Sequence, residues 1–197
     1  MTESIADIRP SGPLVGRLVR VEPLQERHRE GLREAAAEDP GIFRYMTWPG
    51  DFDRWFEEAL TAPAEVPFAV VGPSGEAGST RYLAYAPEHR RVEIGWTWLR
   101  PSTHRSGANV EAKMLLLEHA FERCGVQRVE FKTDANNERA RAALAAIPAR
   151  FEGIHRKHML VRGDVRRDSA WYAVIDDEWP EVKQTLEQRL ARSYAPK

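Results

Sequence analysis

The stretch from Glu93 to Gly125 constrains the fold more than any other part of the chain. In Arg91-Val-Glu-Ile-Gly-Trp-Thr-Trp-Leu99, the residues Val92, Ile94, Trp96 and Trp98 fall on one face, while Glu93, Gly95, Thr97 and Leu99 fall on the other. That period of two predicts a strand. Pro101 has no N–H to give a sheet ladder, so the strand ends near Leu99 or Arg100, and His104-Arg-Ser-Gly-Ala-Asn109 reads as a polar turn. Asn109 then caps a helix whose apolar positions, among them Ala112, Leu116, Leu117, Ala120 and Phe121, recur three and four apart as far as Gly125. A helical crossover returns the chain in its starting direction, so the alternating Arg128-Val-Glu-Phe-Lys-Thr133 lies parallel to the strand before the helix.

The remaining periodicities build around this unit. Residues 1–13, with Pro10, Gly12 and Pro13 and no periodicity, read as a loose tail ahead of one domain spanning 14–197. Leu18–Glu22 is a first strand, followed by helices over Glu26–Glu38 and from Asp51 or Asp53 to Leu60. Phe68–Val71, Gly78–Tyr85 and the central strand form an antiparallel meander. Asn137 opens a helix that stops at Pro148, Phe151–Leu160 and Arg167–Ile175 form a hairpin around Arg162-Gly-Asp164, and Pro180 begins the last helix. The order predicts an α/β fold: one mixed sheet of six to seven strands with helices on both faces, split between the central strand and the strand after the long helix.

Composition narrows the function. At 197 residues, with 42% hydrophobic and 30% charged, the chain suits a single core. A formal charge of −1 provides no general attraction to nucleic acid or to an anionic membrane, and no apolar run approaches the roughly 20 residues of a membrane span. The N-terminus lacks the apolar core of a signal peptide, so the expectation is a cytoplasmic protein. Cys124 is the only cysteine, at the end of an apolar helix, and reads as a packed thiol. His155 and His158, three apart in a strand, point to opposite faces, and no metal set is expected. Arg162-Gly-Asp164 is read as a turn, not an adhesion signal.

The polar turn has two readings. It is either a plain connection or an anion site, because a helix start leaves backbone N–H groups unpaired, Gly107 lets the main chain come close, and Arg105 adds a fixed positive charge.

Val92-Glu-Ile-Gly-Trp-Thr-Trp98, the loop Arg105-Ser-Gly-Ala-Asn109, Glu111-Ala-Lys113 and Asp134-Ala-Asn-Asn-Glu-Arg139 resemble the GCN5-related N-acetyltransferases, most of all the branch that acetylates ribosomal-protein N-termini. The resemblance runs from about Leu18 to Trp179. It implies acetyl-CoA as acyl donor, held by Trp98 and Leu99 on the strand, by Arg105, Ser106, Gly107, Ala108 and Asn109 on the loop, and by Asn137. It implies as acceptor a small-molecule amine or a protein N-terminus, and it allows for a homodimer. Acyl transfer to an amine needs a group to take the amine's proton. Glu93 is the first candidate for that catalytic base; the alternatives are that it bonds a neighbour or binds the substrate ammonium. His89 is a second candidate, and Glu130 and Asp134 follow. The helices between the first two strands wall the acceptor pocket in this family, so Tyr45, Trp48, Trp55 and Phe56 are either core or substrate contacts. Relatives carry Ser where Ala140 stands, and Leu-Gly where Ile147-Pro148 stands. Alanine has no proton to donate. The other reading is therefore a non-catalytic protein that binds acyl-CoA or another small ligand on the same fold.

Overall fold

One mixed sheet of eight strands dominates the computed structural model, which describes residues 7–194. The strands are β1 (Leu14–Val15), β2 (Arg20–Pro23), β3 (Val66–Gly72), β4 (Gly75–Ala86), β5 (Arg91–Leu99), β6 (Arg128–Asp134), β7 (Arg150–Val161) and β8 (Val165–Ile175), in the order β1-β2-β3-β4-β5-β6-β8-β7. Only β5 and β6 pair in parallel. The two-residue β1 is the strand that periodicity missed.

Helices cover both faces. Alternate residues of β3 separate two cores: Phe68 and Val70 point to one, Ala69 and Val71 to the other. The first core receives α3 (Ala108–Glu118), α5 (Trp179–Tyr194) and the Leu144 and Ile147 end of α4 (Glu138–Ala146). The second receives α1 (Arg29–Ala37) and α2 (Phe52–Thr61), with Trp55 and Phe56 fully buried. Truncating such an aromatic to alanine costs about 3–5 kcal/mol.

Four expectations need correction. The helix start is Ala108, with Gly107 as its cap at φ +94°, so Asn109 lies in the first turn. Trp96 and Trp98 leave the face of Val92 and Ile94. Between the pairs Arg81↔Gly95 and Ser79↔Trp98, β5 holds one residue more than β4, and Trp96 takes up the excess at φ +51°. This bulge inverts the alternation beyond it, so that Trp98 packs in the second core and Leu99 in the first. A similar irregularity in β7, with Lys157 at φ +52°, brings His155 and His158 to the same side, their rings 4.9 and 5.6 Å from Trp171.

The expected tail lies outside the described residues over 1–6. From Asp7 it is docked: Ile8 is buried, its carbonyl is 3.2 Å from His119 Nε2, and the Asp7 carbonyl accepts from Cys124 Sγ. No described helix is long and apolar enough to cross a membrane.

Buried Glu111 ties the chain ends to α3. Its carboxylate accepts from the N–H groups of Arg17, Leu18 and Val19 at 2.7–3.0 Å and from the Tyr194 hydroxyl. Hydrogen bonds to a charged group contribute about 1.5–3 kcal/mol each.

Candidate active site

A cleft opens where the sheet splits. β5 and β6 pair over Arg91–Glu93 and Arg128–Glu130 only, and from Ile94 onward the backbone edge of β5 has no neighbour on that side. A cavity of about 1040 Å³ fills the gap and continues through the sheet. At one end it is lined by Gly107, Asn109, Val110 and Arg189, at the other by Tyr45, Glu93, Lys132 and Arg167, with Phe131, Leu144 and Ile147 among the residues between.

The first end is built from backbone. Arg105 and Gly107 both have positive φ, and His104 Nε2 lies 3.0 Å from the Leu99 carbonyl, which pins the turn to the strand end. The N–H groups of Asn109 and Val110, in the first helical turn, have no acceptor among the described residues. Gly107 is required for a reason the sequence did not indicate. A side chain there would meet Leu18 Cδ1 and Ser193 Oγ at 2.8 Å, so its missing Cβ makes room for protein packing behind the loop. Of the residues expected at this end, Trp98, Leu99, Arg105, Gly107, Asn109 and Asn137 line the cavity. Ser106 and Ala108 do not; the Ser106 hydroxyl donates to the Thr103 carbonyl and accepts from the Ala108 N–H. Asn137 caps α4 by accepting from the Ala140 N–H at 3.1 Å.

The second end is built from side chains. Glu93 is 2% exposed and its Oε2 accepts from Lys132 Nζ at 2.8 Å. Its Oε1 has no hydrogen-bond partner among the described residues and lies over Gly95, where a Cβ would meet it at 3.0 Å. Burial raises the Glu93 carboxyl above the ordinary glutamate value of 4.5, opposed by Lys132 and Arg167 and assisted by Glu130. The other candidate bases are elsewhere. His89 is exposed beside Glu88, Glu130 is held by Arg91 and Arg128, and Asp134 caps the turn at Asn136; none of them lines the cavity. Of the four aromatics weighed as substrate contacts, Tyr45 alone lines the cavity, while Trp48 stacks on Phe43 and Trp55 and Phe56 are core.

Several lining residues carried no readable signal. Lys132 and Arg167 are single charged residues in alternating strands. Lys113 had one: it falls within the apolar stripe of α3, three and four residues ahead of Leu116 and Leu117. Its ammonium donates to Thr97 Oγ1 at 2.5 Å, has no carboxylate partner among the described residues, and burial lowers it to about 7. Cys124 is outside the cavity lining, and burial raises its thiol to about 11. Among the described residues no cluster of His, Cys, Asp or Glu could hold a metal ion.

Comparison with known proteins agrees with this geometry. The family described as "Acetyltransferase (GNAT) domain" matches residues 19–149. A GCN5-related N-acetyltransferase from Brucella melitensis is 30% identical, with a TM-score of 0.87 over 95% of this chain and 89% of that one. An acetyltransferase from T. thermophilus, known only by its structure, is 36% identical, with a TM-score of 0.84 over 92% and 98%. RimJ of Mycobacterium smegmatis, solved in complex with CoA-disulfide, shares the fold at 21% identity and a TM-score of 0.76, over 92% and 97%. No curated protein matches the sequence.

Proposed function

The chain belongs to the GNAT acetyltransferases, and from that membership we propose that it moves an acetyl group from acetyl-CoA to a primary amine by direct attack, with Glu93 as the base. The cavity that carries the reading joins an amide-rich helix start to a buried carboxylate through an open sheet. The residues fit the donor. Asn109 and Val110 offer N–H groups to a pyrophosphate, Arg105 and Arg189 offer charge, and the unpaired edge of β5 beside Phe131, Leu144 and Ile147 suits a chain of amides and methylenes. The structure of RimJ with CoA-disulfide supports the same donor here. When bound, acetyl-CoA supplies an acyl group activated as a thioester.

The acceptor amine must lose a proton to attack. Glu93 Oε1, unpartnered and facing the cavity, takes it, and the raised carboxyl makes it a better acceptor than an exposed glutamate. Lys132 holds Oε2 and fixes the carboxylate's orientation. Ala140 leaves the cavity wall without a hydroxyl at α4; Thr97 and Lys113 are among the proton-bearing groups elsewhere on the lining. No lining residue is a cysteine, which supports transfer without an acyl-enzyme. The acceptor is a small-molecule amine or a protein N-terminus.

Calorimetry with CoA, beside thiol release from acetyl-CoA with a panel of amines, tests the proposal. Micromolar binding and amine-dependent thiol release are expected. Binding without release against any amine or peptide would leave a ligand-binding protein.

A further inference from the structure

The acceptor end contains a charge that the reaction does not use. Arg167 of β8 is 8% exposed and lines the cavity, yet no carboxylate lies within ion-pair distance among the described residues. Its Nε is buried without a partner, and its one hydrogen bond is a long one, 3.4 Å from Nη1 to the Tyr45 carbonyl. The chain's other buried arginine of this kind is treated differently. Arg81 has Glu65 at 2.7 Å and the rings of Trp96 and Trp55 beneath its guanidinium. A buried guanidinium stays charged, and leaving one unpaired is costly unless a ligand completes it.

We propose that Arg167 binds a carboxylate carried by the acceptor, so that the substrate is a small amino acid whose amine meets Glu93 while its carboxylate meets Arg167. This rests on the acetyltransferase reading of the same cavity. A guanidinium receives a carboxylate through two parallel N–H donors, and the open Nε edge of Arg167 is one such edge. A carboxylate suits this place better than a phosphate. Glu93 and Asp134 are near enough to attract Arg167, and they repel a second negative charge more strongly when it is a dianion. Around Arg167 the walls are Tyr45, Met46, Trp96 and Met159, which suit an apolar side chain between the two polar ends. A protein N-terminus, whose first carboxyl is tied up in a peptide bond, leaves Arg167 unpaired.

The test uses the full chain with methionine, phenylalanine and δ-aminovaleric acid as acceptors, each beside its own carboxamide. Thiol release should favour the acids over the amides at least tenfold in kcat/KM, mostly through KM. Arg167→Gln should bring the acids down to the level of the amides and leave the amides unchanged. Equal rates for acid and amide, or an equal loss for both in Arg167→Gln, overturns the proposal while the acetyltransferase reading stands. Calorimetry of N-acetylphenylalanine against its carboxamide, on wild type and on Arg167→Gln checked for wild-type CoA affinity and unfolding temperature, reads the site without turnover. At least tenfold tighter binding of the acid to wild type, lost in the variant, is expected; no preference for the acid overturns the assignment. Failure of CoA binding and of transfer to every acceptor would instead remove the acetyltransferase reading.

Discussion

The two ends of the cavity are made of different material. At the α3 end the groups facing the space are main-chain N–H groups, and the side chains mostly hold the loop in place. At the acceptor end they are Glu93, Lys132 and Arg167, brought together from β5, β6 and β8, with Tyr45 from the turn before α2. A site built from backbone tolerates changes of side chain so long as the path of the chain is kept. A site built from side chains can be altered one group at a time, which is how one fold serves many acceptors.

Gly107 is where the first end breaks. Gly107→Ala should lower CoA affinity on the order of a hundredfold, because the helix cap loses a φ that only glycine adopts cheaply and the methyl meets Leu18 and Ser193. Arg105→Ala, which removes a side chain but not the path, should cost about fivefold or less. Calorimetry with CoA compares them, and a larger loss for Arg105→Ala would mean that charge rather than backbone builds this end.

Lys113 sharpens the comparison from between the ends. It deprotonates near 7 in the folded chain against 10.5 for an ordinary lysine, so the unfolded chain binds more protons between those pH values. Stability therefore rises with pH across that window and is lost as pH falls through the folded value. Urea unfolding should show wild type gaining on Lys113→Met by a few kcal/mol from about pH 7 to about pH 10. A pH-independent difference between the two proteins would mean that Lys113 is not a buried amine.

Glu93 is the corresponding point at the acceptor end. Glu93→Gln should lower turnover at neutral pH at least about tenfold, with part of the loss recovered as pH rises and the amine sheds its own proton. In wild type, activity falls as pH drops through the Glu93 pKa, which lies above 4.5 because of burial. That acid limb should be absent from Glu93→Gln; wild-type rates throughout would make Glu93 a purely structural partner of Lys132. The smallest effect belongs to Cys124→Ala, which should transfer acyl groups at the wild-type rate, since the thiol lies off the cavity and is held protonated by burial.

Most of the fold was legible because it follows from local chemistry. Period two over Arg91–Leu99 and over Arg128–Thr133, a helical stripe between them and turn residues elsewhere specify strands, a crossover and its parallel pairing without knowledge of the rest. The loop at Arg105–Asn109 was legible for the same reason, since a helix start exposes its N–H groups whatever surrounds it. Glu93 was legible as a carboxylate beside the split. The bulge at Trp96 was not, because a bulge is decided by how two strands meet; one extra residue against β4 moved Trp98 to the opposite core. Nor could the pairing of Lys132 with Glu93 be read, or the unpartnered Arg167, since each depends on residues 39 or more apart, or on a charge with no partner at all. Hydrogen bonding within a turn and periodicity along a segment act over a few residues, so the sequence by itself determined strands, helices and the anion-binding loop. Burial and the distance between charges exist only once distant segments pack, so the tertiary structure alone decided which side chains meet in the cavity and which charge waits there for a partner.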